Sequence, residues 1–192
     1  TCSYTEIFED KILVTSDGAS ATTQLVRPEL RLSAVAAQAG EMAEGYQMVG
    51  RTVSWACLFS DRSLDQMSEE AAQTAVDLLK APKIPGGLST LILSPAMVGL
   101  LSHEAIGHTV EADFVLSGSI AAGKIGKKIA SPLITLYDSG AVHGSPHGGG
   151  NLQVDDEGVP TQETPVILNG VLTSYLHNRE SAALFGVPPT GN

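Results

Sequence analysis

The chain is short of charge, of aromatic rings and of cysteine. Of its 192 residues, 17% are charged and 5% aromatic, against 43% hydrophobic. So little charge argues against a disordered, self-repelling polymer, and so few rings make the expected core aliphatic. The two cysteines, Cys2 and Cys57, form no CxxC pair and no disulfide framework. A reducing compartment, the cytoplasm, is the simpler expectation. Basic residues are outnumbered, with 11 Lys and Arg against 21 Asp and Glu, for a formal net charge of -10. Such a surface repels phosphate backbones, which argues against nucleic acid as a partner. No apolar run reaches the roughly 18 residues of a membrane-spanning helix, so no membrane role is expected. No signal peptide opens the chain. It starts at Thr1 and closes on Pro189-Thr190-Gly191-Asn192. Neither end reads as a natural terminus, and the expectation is one compact domain of a longer protein.

The patterning predicts an α+β fold, mostly antiparallel sheet with a central motif-bearing helix. Residues 1–87 read as a strand-rich region with one helix and a linker. Lys11 to Thr15 and Thr22 to Arg27 flank the turn signal Asp17-Gly18. Glu29 to Ala37 and Tyr46 to Phe59 read as further strands, the latter with Val49, Val53, Trp55 and Cys57 on alternate positions. Ser68 to Lys80 reads as a helix capped by Ser68, with Ala71, Ala72, Ala75, Leu78 and Leu79 as its apolar stripe. Residues 81–87, with two prolines and two glycines, read as a loop.

Residues 88–192 read as a motif helix, a glycine-rich loop and a hairpin. Ser89 to Leu93 is expected as a short strand. Ser94-Pro95 starts a helix that should run to about Phe114. Ile134 to Tyr137 reads as a strand and 139–151 as a flexible loop. Asn169-Gly170 between two apolar runs is a hairpin signal. Asn178 should cap a last helix that Gly186 stops.

The string His103-Glu104-Ala105-Ile106-Gly107-His108 carries the chemistry. Imidazoles suit zinc, and a carboxylate between them can take a proton from water. In the common zinc-protease motif the two histidines stand four apart, about 40° around an α-helix. Here they stand five apart, which is about 140° on regular winding. Both rings can serve one ion only if a π-type turn absorbs the extra residue. A bulge is therefore expected near Ala105 to His108, with Gly107 easing the distortion.

The stretch Leu101 to Phe114 resembles the signature helix of the TldD branch of the TldD/PmbA family, with its extended H-E-x-x-x-H. Asp155-Asp156-Glu157-Gly158-Val159-Pro160 resembles that family's acidic turn. Ile167 to Tyr175 resembles its hairpin, and Pro189-Thr190-Gly191-Asn192 the start of its glycine-rich segment. The match is firm from about residue 88 onward. The resemblance implies a zinc metallopeptidase acting on unfolded or extended peptides, in peptide maturation or antitoxin degradation. It implies a homodimer, or a heterodimer with a PmbA-like subunit, around an internal site. It assigns zinc to His103 and His108, and the general base to Glu104. It also implies a third ligand, a cysteine far toward the C-terminus. Cys2 and Cys57 both precede the motif, so this chain alone is expected to be a weak or inactive peptidase.

Other residues carry alternatives. Glu111 and Asp113 could orient an imidazole from behind, or form a polar helix end. Asp155, Asp156 and Glu157 read as a solvated turn without the EF-hand spacing. His143 and His147 read as a surface loop, with metal binding as the alternative. His177 reads as structural or exposed. Lys124, Lys127 and Lys128 match no phosphate loop and read as a flexible segment over the motif helix. Ser102 has no nucleophile elbow, which excludes a serine hydrolase. The rival classes are a non-catalytic TldD/PmbA-like subunit and a gyrase-modulating interaction module.

Overall fold

Helix α1 (Leu64–Lys80) begins where the chain can satisfy its own first turn. The Ser63 hydroxyl accepts from the Gln66 N–H, and the Gln66 side chain accepts from the Ser63 N–H. This reciprocal box starts the helix before the expected Ser68, whose hydroxyl instead donates to the Leu64 carbonyl. Met67, Ala71 and Ala75 recur four apart and are buried as one stripe.

The computed structural model describes residues 1–140 and 148–192. His143 and His147 lie outside the described residues. The chain divides into two compact units. Two separate apolar clusters account for the division.

The first unit holds residues 1–11, 23–88 and 148–151. Its sheet has the order β1 (Cys2–Val14), β2 (Ser20–Gln38), β3 (Glu41–Gly50). Strands β2 and β3 pair antiparallel from Gln38↔Glu41 to Glu29↔Gly50. Helix α1 packs on β3 at Gly45, where an added Cβ would lie 1.9 Å from the Ala71 carbonyl oxygen. Leu30, Leu32, Val49, Leu58 and Met67 form the core. The expected strand over Tyr46–Phe59 is shorter than its pattern suggested. β3 ends at Gly50, Val53 adopts φ 100°, and Trp55–Phe59 is a 3-10 turn that buries Leu58.

The second unit holds residues 12–22, 89–140 and 152–192. Ser89–Leu93 forms no strand, and Leu91 and Ile92 are exposed. Helix α2 (Pro95–Ser102) runs into a π-turn (His103–Gly107), then α3 (His108–Val110) and α4 (Ala112–Leu116). A second sheet has the order β4 (Leu136–Ser139), β5 (Glu163–Leu168), β6 (Val171–Leu172). β5 and β6 join through Asn169 and Gly170, at φ 49° and 83°. This positive-φ pair suits the strand twist. Glycine is also demanded there by space, since a Cβ would lie 2.5 Å from the Ala130 carbonyl oxygen. Helix α5 (Arg179–Phe185) is capped by Asn178, whose side chain accepts from Ser181 N–H, and ends at left-handed Gly186.

The core joins Val110, Ala112 and Val115 of the motif segment to Val166, Ile167, Leu172 and Tyr175. Helices and antiparallel strands thus share each unit, and the fold class is α+β.

Candidate metal centre

The π-turn decides which way the two motif rings point. The His108 N–H donates to the His103 carbonyl, five residues back, instead of to that of Glu104. The extra residue per turn returns His108 to the side of His103. Their ring centroids lie 4.6 Å apart at an interplanar angle of 72°. The Thr109 hydroxyl donates to the Ile106 carbonyl at 2.9 Å, supporting the widened turn. Gly107 is not what makes the bulge possible. Its φ of -47° is open to any residue, and a Cβ would meet only Ser102 O at 3.8 Å and His103 Nδ1 at 3.9 Å.

One donor atom each from His103, Glu104 and His108 lies within 4.8 Å of the others, and all three side chains are exposed. Two ligands on one zinc can stand at most about 4 Å apart, at bonds near 2.0–2.1 Å. Side-chain rotations on the order of an ångström would therefore bring the two imidazoles onto a single ion, with Glu104 beside them. Imidazole donors suit zinc. Among the described residues, no other such group of three was found. Cys2 and Cys57 are free and belong to the first unit.

Glu111 stands directly behind His108. Its Oε1 lies 2.9 Å from His108 Nδ1. A carboxylate accepts, so Nδ1–H donates and Nε2 keeps its lone pair. That Nε2 lies 4.0 Å from Glu104 Oε2. The helix breaks at Glu111, with ψ at 127°, where the sequence reading expected continuous winding to Phe114. Leu176 holds the break open. Its carbonyl accepts from Ala112 N–H at 2.9 Å, and its N–H donates to the Val110 carbonyl at 3.0 Å. Of the two acids singled out behind the motif, the structure brings Glu111 to the imidazole. Asp113 instead accepts from the Phe114 N–H at 2.8 Å, a local helix-start contact.

One residue near the motif escaped the sequence reading. A cavity of about 310 Å3 is lined by His103, Ile106 and Gly107 of the π-turn, and by Leu136, Tyr137 and Asp138 of β4. Burial raises the Asp138 carboxyl above its ordinary value. A single acid in a four-residue strand offers no spacing to read. A larger cavity of about 390 Å3 borders Tyr175, His177 and Phe185, away from the motif residues.

The remaining candidates are structural. Asp155 Oδ1 accepts from the N–H groups of Glu157 at 2.9 Å and Val159 at 2.8 Å, closing its own turn. Glu157 accepts from the Arg179 N–H at 2.7 Å, the first free donor of α5. Arg179 also pairs with Asp17. His177 is buried against Phe185 and Tyr175, and burial lowers its pKa. The lysine-bearing segment is pinned, not loose. Gly126 N–H donates to Leu172 O at 2.8 Å, Leu172 N–H to Lys127 O at 3.0 Å, and Tyr175 OH to Ala121 O at 2.7 Å.

The chain is similar to known proteins along its whole length. The model described as the PmbA/TldA metallopeptidase central domain matches residues 1–79, and that of the C-terminal domain matches residues 85–192. A metalloprotease of Methanothermobacter thermautotrophicus is 35% identical over 193 residues, covering 100% of this chain and 41% of that protein. The metalloprotease TldD homolog of Haemophilus influenzae is 33% identical, covering 100% and 40%. The zinc metalloprotease TldD homolog of Saccharolobus solfataricus is 30% identical, covering 98% and 41%. A solved structure from Thermotoga maritima, described as a candidate modulator of a DNA gyrase, shares 27% identity at a TM-score of 0.79. It is matched over 100% of this chain and 42% of its own. The chain thus spans about two fifths of the length of these relatives.

Proposed function

The chain belongs to the PmbA/TldD family of metallopeptidases, and from that premise we propose that it carries the zinc-binding core of a peptidase for extended peptides. The observation that carries the reading is the π-turn, which gathers three donors within 4.8 Å. His103 and His108 would hold the ion, with a third ligand from the longer protein, a cysteine by the family resemblance. A zinc ion there would polarise a scissile carbonyl and acidify water toward neutrality.

Glu104 is the proton carrier. It stands between the two histidines, exposed to incoming water, with Oε2 4.0 Å from His108 Nε2. It accepts a proton from the attacking water and passes it to the leaving amine. Glu111 holds His108 in one tautomer, so that the ring does not have to reorganise when the ion arrives. An extended peptide would be held by backbone hydrogen bonds at a sheet edge, which supply affinity and leave any selection to side-chain pockets. The reading includes assembly as a homodimer, or as a heterodimer with a PmbA-like subunit.

The test is Glu104→Gln in the full-length protein, with zinc content and peptide cleavage both measured. Zinc should stay near wild-type stoichiometry while turnover falls by about 100-fold or more. Retained turnover would remove the assigned role of Glu104.

A further inference from the structure

We propose that the cavity beside His103 is the pocket for a basic side chain of the peptide substrate, with Asp138 as the residue that selects it. The inference rests on the peptidase reading and extends it to substrate class. Three observations carry it.

The first is position. His103, one of the two histidines assigned to the ion, forms part of the cavity wall with Gly107, while Glu104 and His108 stand outside it, so a side chain lodged there lies beside the proposed metal ligand. The second is size. About 310 Å3 is on the order of ten water volumes at roughly 30 Å3 each, room for one long side chain.

The third is the character of the wall. Ile106, Val110, Leu136, Val166 and Leu176 supply an apolar lining that suits the methylene stem of lysine or arginine. Among the described residues, Asp138 is the one carboxylate in this lining, and no lysine or arginine joins it. An acidic side chain would meet a like charge, and a purely apolar one would leave the carboxylate without a cation.

The experiment uses full-length protein carrying Glu104→Gln, so that bound peptide is not consumed. Fluorescence anisotropy compares extended peptides that differ at one position, lysine against norleucine. Lysine should bind about 10- to 100-fold more tightly, the ratio that one charge-assisted hydrogen bond in a partly desolvated wall supports. Adding Asp138→Asn should bring the ratio near unity, and Asp138→Lys should turn preference toward glutamate. Thermal melts of Asp138→Asn should show a midpoint no lower than that of its parent, which separates lost selectivity from lost fold. Equal binding of lysine and norleucine peptides by the parent overturns the proposal. So does a preference that survives Asp138→Asn. Protein with Glu104 intact and zinc bound is assayed for cleavage in parallel. If it cleaves without basic preference, the pocket assignment alone falls. If it cleaves nothing, the peptidase reading falls while the binding ratio still judges the pocket.

Discussion

Removing the Glu111 carboxylate should weaken metal binding without unfolding the protein. The carboxylate accepts from His108 Nδ1 at 2.9 Å. A hydrogen bond to a charged group contributes about 1.5–3 kcal/mol, and a neutral one about 0.5–1.5 kcal/mol. Glu111→Gln keeps an acceptor of the same shape but loses the charge, a difference of about 1 kcal/mol. The His108 and Glu111 side chains are 48% and 37% exposed, so water competes and the lower part of the range applies. Glutamine should therefore cost about 3- to 5-fold in zinc affinity. Glu111→Ala loses the bond outright and frees the ring, which should cost about 10- to 100-fold. The fold should survive either change, because the helix break at this position is held by Leu176 backbone bonds and not by the side chain. The assay is competition for zinc against a calibrated chelator in the full-length protein, with thermal melts of the metal-free forms as the control. Wild-type affinity in Glu111→Ala, with an unchanged melt, would refute the orienting role.

Three further outcomes follow from the geometry. Gly45→Ala places a Cβ 1.9 Å from the Ala71 carbonyl oxygen and 2.7 Å from the Ala75 nitrogen, so α1 has to lift off β3. The cost should reach about 3 kcal/mol or more, seen as a large drop in the denaturation midpoint. Gly107→Ala, by contrast, meets nothing closer than 3.8 Å at a helical φ, and should leave stability within about 1 kcal/mol and zinc affinity near wild type. Burial lowers the His177 pKa below its ordinary 6.5, so the unfolded chain binds that proton more tightly than the fold does. Its contribution to stability is complete above about pH 6.5 and is lost as pH falls below that value. The melting difference between wild type and His177→Asn should shrink on acidification, and a constant difference from pH 8 to pH 5 would contradict this.

What could be read from the sequence was whatever depends on neighbours along the chain. Asn169-Gly170 demands a tight hairpin turn, and Asn178 and Gly186 punctuate a helix, because each acts within a few residues of itself. The π-turn was legible for a related reason. Two histidines five apart contradict regular winding if both serve one ion, so local arithmetic alone called for the extra residue. Gly107 was given a part in this that its backbone does not play. One failure is itself local: Ser63 and Ser68 are both plausible caps by composition, and Gln66, three residues past Ser63, decides for the earlier one. The others belong to tertiary context. Ser89–Leu93 has the makeup of a strand but finds no partner among the described residues. Glu111 looked like a point on a continuous helix until Leu176, distant in sequence, pulled the backbone out of helical shape.

The break at Glu111 and the widened turn at His103 bound the segment that carries the second histidine. A straight α-helix would hold His108 about 140° from His103. The wider turn corrects this by adding one residue to the winding. Glu111, three residues past His108, reaches Nδ1 as a helical neighbour, and the break turns the chain away immediately after it. Each departure removes regular helical bonding, and each is covered locally, by Thr109 on the Ile106 carbonyl and by Leu176 on Val110 and Ala112. Leu176 packs against the same apolar cluster as Val110 and Ala112, so the core of the second unit fixes where the helix bearing His108 and Glu111 ends. Mutations in that cluster should therefore reach zinc affinity without touching a ligand. Thinning the contact with Leu176→Ala is the direct case. It loosens the segment that holds the break, and it should lower zinc affinity in step with stability, whereas Glu111→Ala lowers affinity alone.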